Sequence, residues 1–150
     1  METQKTTSAI SDLIIINNDR YEGYKKAAEE TKDADLRSLF NNFSTQSRGF
    51  ANSLRKLITD SDEQPEKNET KNSGKLFRVW MDIKAAVTSH DRKAILASCE
   101  FGEDHAKAAY KEVLDHSEDL PAMTLDVVKH QYEEIKKGHD HVKALRDSTK

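Results

Sequence analysis

The sequence predicts an all-α fold, a bundle of four long helices arranged as two antiparallel hairpins. Two observations lead there. The 150 residues include only five Gly and two Pro, while Lys, Glu, Ala and Leu are abundant, a composition that favours long helices over short strands. Apolar side chains also recur every three or four residues along separate stretches of helical length, which places them on one face of a helix. A chain of this size buries one core without disulfides or a structural metal.

The first helix is expected from about Ser8, a suitable N-cap, to about Thr31. Its stripe is Ile10, Leu13, Ile14, Asn17, Tyr21, Tyr24 and Ala28. Asp33 to Asp35 reads as a tight turn that caps a second helix, striped by Leu36, Leu39, Phe40, Phe43, Phe50, Leu54, Leu57 and Ile58. So short a loop makes the two helices an antiparallel hairpin.

Residues 59–74 carry Asp60, Asp62, Glu63, Pro65, Glu66, Glu69 and Gly74 and no apolar side chain. Such a stretch has nothing to bury and reads as a disordered, acidic linker. Residues 75–88 then supply Leu76, Phe77, Val79, Trp80, Met81, Ile83, Ala86 and Val87, which suits a short crossover helix laid across the bundle. A third helix is expected from Asp91, its cap, to about His116, with Ile95, Cys99, Gly102, Ala106, Ala109, Tyr110 and Val113 on its stripe. A fourth starts near Pro121 and runs to about Arg146, striped by Val128, Gln131, Tyr132, Ile135, His139 and Val142. Residues 8–147 thus form one domain. The two hairpins look like one unit used twice, Asn18-Asp19 aligning with Glu103-Asp104, and Phe43 and Phe50 with Tyr132 and His139.

Composition narrows the function. A net charge of −3, mixed in sign along the chain, lacks the basic excess of a nucleic-acid binder. The single cysteine, Cys99, allows no intrachain disulfide and fits a reducing compartment. Residues 1–7 are polar, unlike a signal peptide. The longest aliphatic run, Leu13-Ile14-Ile15-Ile16, is far too short to span a bilayer. The expected location is the cytoplasm. No phosphate-binding glycine loop, nucleophile elbow or CxxC pair is present.

Four segments carry a family resemblance. They are Ile16-Asn17-Asn18-Asp19-Arg20-Tyr21-Glu22-Gly23-Tyr24, Gln46-Ser47-Arg48-Gly49-Phe50-Ala51, Gly102-Glu103-Asp104 with Ala106 and Tyr110, and His139-Asp140 with Lys143, Leu145, Arg146 and Asp147. From about Ser8 to Asp147 the chain resembles an uncharacterised bacterial family of ferritin-like four-helix bundles, classed as a domain of unknown function. The resemblance implies a ferritin-like fold, whose hairpins are joined by a long crossover, and no established activity.

Ferritin-like proteins that hold two metal ions use one carboxylate from each of two helices and a Glu-x-x-His pair from each of the other two. Here those positions fall at Asn18, at Ser47 and Phe50, at Glu103, and at Lys136 and His139. Only Glu103 and His139 keep ligand chemistry, so an intact di-iron ferroxidase is not expected. A register shift of one turn would bring Glu100 or Glu133 closer. A reduced site remains a candidate, with Glu22, Gln46, Glu103 and His139 holding one divalent ion (iron, manganese or zinc). The alternative is a hydrogen-bonded polar cluster that fixes register. Glu22 lies at the edge of its stripe, counting 100° per residue, whereas Asn17 is nearer the centre and needs an internal partner. Cys99 reads as a buried, inert thiol, the four tyrosines as core residues, and His90, His105, His116 and His130 as surface residues.

The leading functional expectation is a non-enzymatic bundle in bacterial stress or housekeeping physiology, acting as a homo-oligomer or through a protein partner. Phe77, Trp80, Met81 and Ile83 form the candidate partner surface, set against the simpler reading that they cap the bundle. The second expectation is a metal-binding protein with a degenerate core site. A third and weaker one is a membrane-surface helix over residues 76–87, suggested by the basic residues Lys75, Arg78 and Lys84.

Overall fold

A computed structural model of the chain describes residues 4–58, 82, 83, 85, 86, 88, 89 and 91–149. Four long helices dominate: α1 Gln4–Glu30, α2 Ala34–Leu57, α3 Arg92–Asp115 and α4 Ala122–Ser148, with a 3-10 turn Ser117–Asp119 before α4. There is no strand among the described residues. The predicted linker lies outside them, as does most of the predicted crossover helix, including Phe77, Trp80 and Met81. The described residues between 82 and 89 are helical.

The helix boundaries follow local chemistry. α1 already runs at Gln4, so Ser8 is an exposed residue within it and not its cap. The neighbouring Thr6 and Thr7 are buried, which extends the packed face back past Ser8. Asp33 occupies the N-cap position of α2, and its carbonyl accepts from Arg37 N at 2.9 Å. Asp91 caps α3 through its side chain, accepting from Ala94 N at 3.1 Å. Pro121 precedes α4 with φ −56°, ready to enter the helix. Arg92 reaches from the first turn of α3 to Asp33 at 3.3 Å and Asp35 at 2.5 Å, tying the α1–α2 turn to the start of the second hairpin.

α1 packs along α2 and α3 along α4, with lighter contacts of α1 on α3 and of α2 on α4. The core has two apolar halves. One gathers Tyr24, Ala28, Leu36, Phe40, Phe43, Ile83, Ile95, Leu96, Cys99 and Val142. The other gathers Ile10, Leu13, Ile14, Ala51, Leu54, Ile58, Ala106, Tyr110, Val128 and Ile135.

The order in which each helix meets these halves gives its direction. α1 and α4 run from the second half to the first; α2 and α3 run from the first to the second. The topology is therefore up-down-down-up. α2 ends at one end of the bundle and α3 begins at the other, so the connection between them spans its length. Ile83, with a relative exposure of 1%, is packed into the first half of the core.

Candidate functional site: a polar waist between two apolar halves

Between the two halves three helices contribute polar side chains to the interior, Asn17 and Arg20 from α1, Ser47 from α2 and Glu103 from α3, and Gln131 of α4 adjoins them from within the second half, between Val128 and Ile135; all five are buried. Arg20 is the centre of this layer and is completely buried. It sits on the inward face because Leu13, Asn17, Arg20 and Tyr24 follow the four-three-four spacing of one helical stripe.

The Arg20 guanidinium meets Glu103 edge to edge, Nε donating to Oε2 at 2.8 Å and Nη2 to Oε1 at 2.6 Å. Nη1 donates to Gln46 Oε1 and Ser47 Oγ, both at 2.8 Å, and more weakly to Phe43 O at 3.4 Å. Aromatic rings close the site, with the guanidinium carbon 4.9 Å from the Phe43 ring centre and 5.5 Å from that of Tyr24. Burial works against the charge on Arg20, but Glu103 outweighs it and the group holds its proton more tightly than in water. Burial, followed by Glu103, pushes the Tyr24 hydroxyl and the Cys99 thiol well above their ordinary ranges. Both groups are neutral at physiological pH, and Cys99 is buried and free.

Gly138 makes this packing fit. A Cβ there would lie 3.0 Å from Phe43 Cε1 and 3.2 Å from Glu103 Oε1. A second chain of bonds runs beside the ion pair. Asn17 Nδ2 donates to Tyr110 OH at 2.7 Å, Tyr110 OH donates to Gln131 Oε1 at 2.7 Å, and Gln131 Nε2 donates to Phe50 O at 3.3 Å. Asn17 Nδ2 also reaches Leu13 O at 2.8 Å, so the amide nitrogen has internal partners, while the buried Oδ1 accepts no hydrogen bond.

The four candidate metal ligands do not meet at one point. Gln46 and Glu103 come together, but on Arg20. His139 belongs to a neighbouring cluster, its Nε2 lying 2.8 Å from Asp104 and 3.7 Å from Glu100, and its Nδ1 3.0 Å from Asp140. Glu22 is half-buried on α1 and takes no part in either network. Of the candidate partner surface, Ile83 is in the core, and Phe77, Trp80 and Met81 lie outside the described residues. Of the six positions expected for a two-metal centre, Asn18, Ser47, Phe50 and Lys136 offer neither carboxylate nor imidazole. Glu103 is already neutralised by Arg20. A pair of divalent ions needs several anionic oxygens, and these residues do not fit it.

Arg20 is the residue that pattern reading passed over. Its spacing from Leu13, Asn17 and Tyr24 puts it on the inward face, where the stripe read from the sequence has the half-buried Tyr21, but a charged side chain is almost never fully buried unless paired, and its partner is 83 residues away. Asp104 and Glu100 were visible on α3, but their convergence with His139 depends on how α3 and α4 pack.

A family model described as "Domain of unknown function (DUF2383)" matches residues 5–116, and the chain belongs to that family. No curated protein matches it. No helix among the described residues is long and apolar enough to cross a membrane.

Proposed function

We propose that this member of the DUF2383 family is a non-catalytic, ferritin-like bundle of the bacterial cytoplasm that works through self-association or a protein partner. The observation that carries this reading is the Arg20–Glu103 pair. A resident guanidinium supplies, at the centre of the bundle, the positive charge that a redox metal would supply in a ferritin-like enzyme. The up-down-down-up topology with one long crossover supports the ferritin-like assignment. Association is supported by apolar surface that bundle packing leaves open. Phe101 and Met123 are 55% and 73% exposed, and a groove of about 540 Å³ between α1 and α3 mixes apolar side chains such as Ile16, Ala109 and Val113 with Asp12, Glu112 and His116. A role in stress or housekeeping physiology fits a protein of this kind.

The second reading is a metal ion (iron, manganese or zinc) in the core, held by Glu22, Gln46, Glu103 and His139. Arg20 weighs against it, because it takes the side-chain oxygens of Gln46 and Glu103. Aerobic oxidation of ferrous ion tests the non-catalytic reading. The protein is expected to leave the rate and oxygen consumption at the buffer value, and catalytic turnover of iron would overturn the proposal. Size-exclusion chromatography with light scattering tests the association, with a mass above the 17.1 kDa chain as the expected result; a strictly monomeric protein would leave only the partner route.

A further inference from the structure

We propose that Glu100, Asp104 and His139 form a binding site for a single first-row divalent metal ion on the seam between α3 and α4, separate from the Arg20–Glu103 pair. Glu100 and Asp104 are four residues apart on α3 and share a face. His139 approaches from α4, and one ligand atom from each of the three lies within 4.8 Å of the others.

The His139 side chain is only 10% exposed, and its two ring nitrogens do different work. Nδ1 lies 3.0 Å from Asp140 Oδ1, the carboxylate partner that orients metal-binding histidines and raises their basicity. With the Nδ1 proton directed at Asp140, the Nε2 lone pair faces Asp104 Oδ1 and Glu100 Oε1 at 2.8 and 3.7 Å. In that tautomer three acceptors converge on one point, which a bound cation would satisfy. Ligands about 2.1 Å from a tetrahedral ion stand about 3.4 Å apart, and the two distances bracket that value.

Glu100 is held in place by its other oxygen, which pairs with Arg146, itself 3.0 Å from Asp147. Asp104 is 53% exposed, so an ion can enter from solvent and keep water on its remaining positions. One imidazole with two carboxylates suits zinc, manganese or ferrous ion. Calcium and magnesium prefer oxygen alone.

The test titrates the full chain, stripped of metal, with zinc by calorimetry and with cobalt by visible absorption. Wild type is expected to bind one ion per chain. Asp104→Asn and His139→Gln should each weaken binding at least tenfold, and Asp140→Asn about tenfold through the lost support of the ring. His130→Ala and His141→Ala, at exposed histidines, should leave it unchanged. Asp104→Asn alters a half-exposed side chain, so helical circular dichroism is expected to be retained in that variant even if His139→Gln perturbs folding. Three results would each overturn the proposal: no one-to-one binding by wild type below about 1 mM, equal binding in Asp104→Asn and wild type, or loss of binding in His130→Ala.

Discussion

Arg20 shows how one side chain reorganises the interior of a bundle. Its burial brings Glu103, Gln46 and Ser47 to it and sets two aromatic rings against it. Gly138 is the small residue that this crowding requires. Gly138→Ala should gain up to about 1 kcal/mol of helix propensity and lose about 1–3 kcal/mol to overpacking. The Phe43 ring and the Glu103 carboxylate that meet the new Cβ are both packed against Arg20 and cannot retreat freely. Net destabilisation in a urea melt is the expected outcome. Cys99 makes a second prediction at this scale. Burial first, then Glu103, keeps its thiol protonated, so a thiol reagent at pH 8 should label native protein roughly a hundredfold or more slowly than unfolded protein. Equal rates would show that the first half of the core is open.

At the scale of elements the helices were largely legible, because each writes its buried face into a period of three and four residues. The Asp91 cap of α3 and the Pro121 start of α4 were readable for the same local reason. The start of α1 was not, because Thr6 and Thr7 are polar residues buried by tertiary packing, and no local signal records that. Gly49 provides a contrast to Gly138. It is exposed within α2, and nothing lies within 4 Å of where its Cβ would be, so Gly49→Ala should stabilise the protein by up to about 1 kcal/mol.

The tie between Arg92 and the α1–α2 turn is half-exposed, and Arg92→Ala should cost about 0.5 kcal/mol, less at high salt. The hydrogen bond from Arg92 holds the Asp35 carboxyl below its usual range. A carboxylate whose folded pKa is depressed stabilises the fold above its unfolded value, near pH 4, and loses that contribution as pH falls through the lowered folded value. The difference between wild type and Arg92→Ala should therefore be complete at pH 7 and gone by about pH 2. A difference that persists in acid would assign it to packing of the Arg92 stem.

Across the whole molecule, two apolar halves are held together by a polar waist that two helical hairpins enclose. The four-helix count and the two hairpins were readable, since each rests on patterns within one stretch of chain, while the linker and most of the crossover helix lie outside the described residues. The waist was only half readable. Asn17, Gln46, Glu103 and His139 stood out as polar residues in or near stripes, but their grouping did not, because Arg20 draws Gln46 and Glu103 away from His139. Which polar groups pair across a core depends on helix rotation and rise, and no single helix encodes those.

The central claim is that an arginine–glutamate pair holds the bundle where a metal centre would stand, and a double-mutant cycle on unfolding free energy tests it most directly. Arg20→Met and Glu103→Leu each strand a buried charge, and each should cost about 3–5 kcal/mol. The double variant leaves no charge uncompensated and should recover most of that loss, giving a coupling of about 2 kcal/mol or more. Additive losses, with no recovery in the double variant, would contradict the account.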